Sequence, residues 1–400
     1  MTAVLGSPHR PPAPASAAGP FSKYLVPEVV FGWGALSEAG HAARRLGARR
    51  PFVVTDDGVA AAGWADELTG HLAAVGLTGT VWQGMTPNPK DHEVAAGARA
   101  YADSGCDVVV GLGGGSVIDA AKSIAVVASN GGAILDYEGV DRVALALPPT
   151  VMCPTTAGTG ADVSQFAVVT DTARRVKATL IGRALVPDIS VTDPRLLTTM
   201  PDDLAAATGL DALTHAVEAY VSRAHGPLSD VHALHAVELI AAHLRRTLTH
   251  PDDEAARTAM AQASLEAGLA FTTAILGATH AMSHQVGGLL DLPHGVVNGV
   301  LLPHVMRFNA RTTAERFVPV ARALGVDTRR MSAAAAADAA ADAVAALAAD
   351  LGCPAGLAEL GVRPADVDTL TTTTLADACL STNPRDAGAA DVSDLFRVAM

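Results

Sequence analysis

Asp211 and His215 stand four residues apart in Gly209-Leu-Asp-Ala-Leu-Thr-His-Ala-Val-Glu218, a stretch of helical character. Both side chains therefore emerge from one helix face and can converge on a single ion. His280 and His284 repeat that spacing, and Leu292-Pro-His-Gly295 places His294 at a Pro/Gly-framed bend that presents its ring from fixed backbone. A carboxylate with three imidazoles suits Fe²⁺ or Zn²⁺, and a coordination position left open would serve catalysis. Taken singly, each histidine is more often a satisfied core or surface residue; the constellation is what points to metal. His225, His232, His235, His243 and His250 crowd the same half, and His232 with His235 could mimic a site. These five read as helix-surface residues.

A second chemistry is written in Gly113-Gly-Gly-Ser-Val-Ile-Asp-Ala-Ala-Lys122, which follows a strand expected to end near Leu112 and opens a helix. Free amides at a helix start and the positive end of its dipole favour a pyrophosphate, which side chains at these glycines would keep out. The run is not the G-x-G-x-x-G fingerprint, and a bare glycine triplet can be no more than a tight turn. Asp56 ends the strand Pro51–Thr55, where a carboxylate accepts from a ribose diol and repels a 2′-phosphate, favouring NAD over NADP. Its plainer reading is a turn or helix-cap aspartate in Thr55-Asp-Asp-Gly58. Thr155-Thr-Ala-Gly-Thr-Gly160 is a second Gly/Thr-rich loop after a strand-like Val151-Met-Cys-Pro. Its hydroxyls suit a phosphate or an amide.

The elements that must carry these residues divide the chain in two. Residues 21–197 alternate short β-branched runs (51–55, 107–111, 166–170) with helical stretches at 59–75, 91–104 and 116–129, the rhythm of a parallel α/β sheet. After Asp193-Pro194 the strand signals stop, and residues 198–400 read as successive helices, the Ala-rich stretch 332–350 among them as an amphipathic surface helix. Residues 1–20, rich in Pro, Ala and Ser, lack the charged start and continuous apolar run of a secretory signal and read as a disordered tail. Half of the 400 residues are apolar, enough for two domains each with its own core. The net charge of −13, from 41 acidic against 28 basic residues, argues against nucleic-acid or anionic-membrane surfaces. Cys106, Cys153, Cys353 and Cys379 form no C-x-x-C pair, which suits a reducing cytoplasm. Apolar runs are broken before the roughly 20 residues that span a bilayer, so a soluble protein is expected.

Gly113-Gly-Gly-Ser116, Pro154-Thr-Thr-Ala-Gly-Thr159, Gly209-Leu-Asp-Ala-Leu-Thr-His215, His280-Ala-Met-Ser-His284 and Leu292-Pro-His-Gly295, in that order, resemble the iron-containing, or group III, alcohol dehydrogenases. The likeness runs from about residue 22 to Thr382-Asn-Pro-Arg385. It implies an N-terminal dinucleotide-binding α/β domain, an all-α C-terminal helical domain and an active site in the cleft between them. It implies Asp211, His215, His280 and His294 as metal ligands and His284 as a histidine near the nicotinamide that is not a ligand. The filled ligand set disfavours the metal-independent maleylacetate reductase branch. Asp56, Gly113, Gly114, Gly115, Ser116, Asp119, Thr155, Thr156 and Lys177 are assigned to the cofactor by the same likeness, and Phe271 to the wall of the substrate pocket. Ser283, where the family often has a small apolar residue, is given no functional meaning.

The chemistry so implied is hydride exchange between a primary alcohol or aldehyde and NAD(H), with Fe²⁺, or alternatively Zn²⁺, as Lewis acid and His284 as proton relay or cofactor-orienting group. The rival within the same fold is a non-redox lyase of the dehydroquinate synthase kind; a metal hydrolase and a non-catalytic binding protein are more distant. Substrate identity stays open, an anionic aldehyde such as a phosphonate included. A homodimer or larger homo-oligomer is implied by the resemblance alone.

Overall fold

The computed structural model describes residues 24–400, so the tail expected at 1–20 lies outside the described residues. Nine strands come first: β1 (Glu28–Phe31), β2 (Pro51–Val54), β3 (Thr80–Trp82), β4 (Val108–Gly113), β5 (Gly139–Val140), β6 (Thr150–Pro154), β7 (Phe166–Asp171), β8 (Val176–Ile181) and β9 (Ile189–Thr192). Six form one parallel sheet in the order β1-β9-β6-β4-β2-β3. Every residue of β2, β4, β6 and β9 is buried, which is why these strands read as unbroken apolar runs rather than alternating ones. Helices α1 (Ala39–Arg45), α2 (Asp57–Ala61), α3 (Trp64–Ala74), α4 (Asp91–Ser104) and α5 (Gly115–Asn130) intervene between them.

Two expectations need correction here. The helix expected at 59–75 is broken into α2 and α3, because Gly63 takes a left-handed φ of 86° between them. The strand expected at 166–170 exists but is not part of the parallel sheet. It is β7, antiparallel to β8 in a separate three-stranded sheet of order β5-β8-β7. A hairpin suffices to join β7 and β8, whereas a parallel pair needs a crossover.

Beyond β9 the chain is helical, as expected: α6 (Asp202–Val221), α7 (Pro227–Thr249), α8 (Glu254–Ala274), α9 (Ala278–Leu290), α10 (His294–Ala323), α11 (Ala333–Asp350), α12 (Val367–Thr374) and α13 (Ala389–Val398). The Ala-rich stretch is α11, capped by Ser332, with Ala336, Ala340, Val344 and Leu347 turned inward and Asp338 and Asp342 exposed. The centre of this half is α6, buried without a break from Ala205 to Val221 and packed against α7, α8 and α10. A helix in that position has no polar face to give to water, so any ionisable group on it needs a purpose or a partner. No single helix among the described residues is long and apolar enough to cross a membrane; α8 with α9 would be, but a bend of 104° separates them.

Candidate metal and dinucleotide site

Three helices deliver the inner site. Asp211, His215 and Glu218 lie on one face of α6, His280 and His284 on α9, and His294 is the first residue of α10, with Pro293 fixing the entry. Donor atoms of Asp211, His215 and His280 lie within 4.8 Å of one another. Asp211 Oδ1 is 3.7 Å from His280 Nε2 and 3.8 Å from His294 Nε2. The four residues implied as ligands are thus brought together, with His294 at the edge of a tighter group of three. His215 stacks between Phe271 and His280, at centroid distances of 4.5 and 4.4 Å.

Each imidazole around this point is held by its Nδ1. His215 Nδ1 donates to the Gly158 carbonyl at 3.2 Å, His280 Nδ1 to Glu218 at 2.7 Å, and His284 Nδ1 to Asp377 at 2.9 Å. His294 Nδ1 shares a 3.0 Å hydrogen bond with Ser283 Oγ. Carbonyl and carboxylate partners of this kind hold the proton on Nδ1 and fix ring orientation, leaving Nε2 of the neutral ring as the free donor atom, whereas the Ser283 hydroxyl fixes orientation alone. Ser283, given no functional meaning from the sequence, thus places its hydroxyl against the ring of a candidate ligand.

The donor set is chemically short of positive charge. The Asn298 amide nitrogen lies 2.7 Å from Asp211 Oδ1, 3.3 Å from His280 Nε2 and 3.2 Å from His294 Nε2. Asn298 Oδ1 is itself buried without a partner. Burial lowers the His215 imidazole to about 4 and holds His294 well below its usual value, so both keep their lone pairs at neutral pH. Burial also works against a charged His280, yet Asp211 and Glu218 on either side outweigh it and raise that ring to about 9. A buried cluster that recruits a proton to offset two carboxylates is one that a divalent cation fits.

The residues assigned to the cofactor by resemblance fall in two groups. Asp56, Gly114, Gly115, Ser116, Thr155 and Thr156 border an open cleft of about 780 Å³ over the C-terminal ends of β2, β4 and β6. Because β3 lies outside β2 while β4 lies on its other side, this is where the strand order reverses, the crevice in which open α/β sheets take ligands. Helix α5 starts there at Gly114 with no side chain capping it, so its first amides are available to an anion. Asp56 serves the plainer role too, capping α2 through Val59 N at 2.8 Å. Asp119 and Lys177 line an inner cavity of about 130 Å³ instead, together with Phe271, Leu276, His284 and the candidate ligands. Burial pushes Asp119 up to about 7 against the pull of Lys122.

Gly113 does not border the cleft. It ends β4 under α5, where an added Cβ would sit 2.4 Å from Val117, and its carbonyl accepts Thr155 N at 3.0 Å. At Gly115 the Cβ would meet Thr159 at 2.4 Å. Gly113 serves the packing of α5 on β4, and Gly115 the close approach of the loop after β6.

Residues missed at the sequence level are Glu218, Asn298, Asp377 and Asn88. Glu218 had a signal, being seven residues after Asp211 on the same helix face. Asn88, between Pro87 and Pro89, accepts from Lys177 Nζ at 2.9 Å and donates to Asp291 at 2.7 Å, tying the sheet half to the helical half across the cleft. None of the five other histidines lines the cavity; His225 faces Asp230, His235 faces Glu266 and His232 stacks on Tyr24. The four cysteines are unpaired.

A family model described as "Iron-containing alcohol dehydrogenase" matches residues 27–194, and one described as "Fe-containing alcohol dehydrogenase family, C-terminal" matches residues 205–400. The chain belongs to the iron-containing alcohol dehydrogenase family. Among its relatives is the 1,3-propanediol dehydrogenase of Citrobacter freundii, 41% identical over 379 residues, covering 94% of this chain and 98% of that one. The NAD-dependent methanol dehydrogenase of Bacillus methanolicus is 38% identical over 377 residues, covering 94% and 99%. The solved alcohol dehydrogenase from Oenococcus oeni superposes with a TM-score of 0.92 at 34% identity, covering 95% of this chain and 100% of that one. This iron-containing alcohol dehydrogenase relative is an alcohol oxidoreductase, acting as alcohol dehydrogenase or aldehyde reductase. The lyase alternative of the dehydroquinate synthase kind is not favoured by these matches.

Proposed function

We propose that the protein is an NAD(H)-dependent dehydrogenase that interconverts small neutral primary alcohols or diols and their aldehydes, with a divalent cation held by Asp211, His215, His280 and His294. The observation that carries this reading is the continuity of the two cavities. Asn88, Gly115, Ser116, Thr159, Asp211 and His294 border both, so a dinucleotide lying over the strand ends reaches the four candidate ligands with its nicotinamide end. Fe²⁺ is the favoured ion on family grounds and Zn²⁺ the alternative; NAD is favoured over NADP by the Asp56 carboxylate and by the NAD-dependent relative.

A bound cation supplies Lewis acidity that makes an alcohol hydroxyl more acidic, and nicotinamide accepts the hydride. The chain supplies the rest. Phe271 and Leu276, both buried, close the inner cavity to water and hold the carbon chain. His284 is the group that takes the hydroxyl proton at Nε2, because its Nδ1 is already committed to Asp377. Lys177 and Asp119 meet the nicotinamide end from β8 and α5.

A cavity of about 130 Å³ suits a substrate of a few carbons. No arginine among the described residues lines it, and its lysine, Lys177, is assigned to the nicotinamide end, which supports neutral over anionic aldehydes. Four free cysteines suit a cytoplasmic enzyme, and a homo-oligomeric state follows from the family resemblance.

The test is NADH absorbance with metal-free, Fe²⁺-loaded and Zn²⁺-loaded protein on short alcohols and diols, and in reverse on aldehydes. Metal-dependent turnover supports the reading. Tight metal and NAD binding with no turnover in either direction across neutral and anionic substrates overturns it.

A further inference from the structure

The loop between α12 and α13 brings the Asp377 carboxylate, with the Cys379 thiol beside it, to His284 from 93 residues further along the sequence. We propose that Asp377 is a positioning residue for the reaction, fixing His284 in the tautomer that carries its proton on Nδ1 and so presents Nε2 to the substrate. The proposal rests on the reading of His284 as proton relay and deepens it.

The geometry of the carboxylate leaves little freedom. Asp377 Oδ1 accepts Cys379 N at 2.9 Å, capping the short turn of 3-10 helix Ala378–Thr382. Oδ2 accepts Gln285 Nε2 at 3.2 Å and faces His284 Nδ1 at 2.9 Å. The orientation of the Gln285 amide is itself determined, because its nitrogen has two acceptors, Asp377 Oδ2 and the Ala281 carbonyl at 3.2 Å. An ionised carboxylate only accepts hydrogen bonds, so Nδ1 must be a protonated nitrogen, and in the neutral ring Nε2 then carries the lone pair. His284 lines the inner cavity, and its ring stacks beside His294 at 5.3 Å.

The turn does not need a charge to form. Asparagine caps a helix start as well as aspartate does, and would accept Cys379 N equally. A carboxylate with 6% of its side chain exposed is held there at a desolvation penalty that the cap alone does not require. An asparagine would also offer His284 an N–H donor, allowing the other tautomer, with the proton on Nε2 and no lone pair facing the substrate. Burial opposes ionisation of Asp377, but the His284 ring and the Cys379 amide hold it below the ordinary carboxylate range, in keeping with this arrangement.

The experiment uses the full-length, Zn²⁺-loaded protein and its Asp377→Asn, Asp377→Ala and His284→Gln variants. The nitrogen shifts of ¹⁵N-labelled histidine, with His284→Gln supplying the assignment, report the tautomer whatever the turnover. Wild type is expected to show a protonated Nδ1 and a bare Nε2 at His284, and Asp377→Asn a mixture or reversal. With NAD⁺ and a short alcohol, kcat of Asp377→Asn is expected to fall about a hundredfold or more, as tautomer control does elsewhere, while alcohol KM, NAD affinity and zinc content stay within about threefold. Asp377→Asn keeps the cap, so it tests the role even if Asp377→Ala fails to fold. An unchanged His284 tautomer in Asp377→Asn, or a kcat loss matched by zinc loss, overturns the proposal. Full turnover by His284→Gln would instead overturn the relay reading, leaving the tautomer result to judge Asp377.

Discussion

The Glu218 carboxylate takes His280 Nδ1 at 2.7 Å and also collects the backbone amides of Gly277, Thr279 and His280, so one side chain of α6 both aims a candidate ligand and caps the first turn of α9. Both roles sit in a fully enclosed setting, with Glu218 2% exposed. Gln in its place removes the charge opposite the imidazole but leaves its size. Glu218→Gln is expected to weaken divalent-metal affinity about 10- to 100-fold, measured by competition with a chromophoric chelator. Unchanged affinity would mean that this carboxylate only braces the helix start.

Ser283 makes a milder case of the same logic. Its hydroxyl is the partner of His294 Nδ1, and it is buried. Ser283→Ala removes one neutral hydrogen bond, worth about 1 kcal/mol, or about fivefold in binding. Metal affinity is expected to fall by that factor, with the melting temperature nearly unmoved. A loss of stability with metal affinity intact would assign the serine to packing alone.

Asn88 joins the two halves of the molecule through Lys177 on β8 and Asp291 at the end of α9. Losing both contacts leaves the cleft wider at the place where the two cavities meet. In Asn88→Ala the dissociation constant for NAD⁺, followed by fluorescence titration, is expected to rise about five- to thirtyfold, one to two hydrogen bonds' worth. Metal content should not change, since Asn88 touches none of the four candidate ligands. Equal NAD⁺ affinity in the variant would show that the cleft holds its shape without this tie.

What could be read from the chain was local in sequence. Asp211 with His215, His280 with His284 and the Gly113–Ser116 turn each lie within one helical turn or one loop, where spacing translates directly into geometry. The parts that escaped are set by tertiary packing. Asp377 reaches His284 from the far end of the chain, and Asn298 meets three donor atoms only because α10 folds back on α6 and α9. The strand at 166–170 was legible as a strand, but its partner was not, because β-branched runs look alike in parallel and antiparallel settings. The Ser283 contact, like those of Asp377 and Asn298, is tertiary: the ring it meets begins another helix.

Asp193 gives the fold a pH dependence that does not involve the site. It directly follows β9, accepts Gly34 N at 2.9 Å and Leu36 N at 3.1 Å from the turn after β1, and pairs with Arg195 at 2.9 Å. Burial by itself would raise its pKa, but the Arg195 side chain and the three amides of Gly34, Leu36 and Arg195 overcome that and hold the carboxyl below its usual value. A carboxyl depressed in the folded state stabilises at pH above its unfolded pKa of about 3.9, and that contribution drains away as pH falls through the folded value. Asp193→Asn should therefore lose about 2 kcal/mol at pH 7, in the range of hydrogen bonds to charged groups. The difference from wild type should shrink as pH drops below about 4, in urea unfolding followed by circular dichroism. A gap that stays constant down to acid pH would mean that the asparagine disrupts shape rather than charge, and that the Arg195 pair contributes nothing to holding β1 and its turn onto β9.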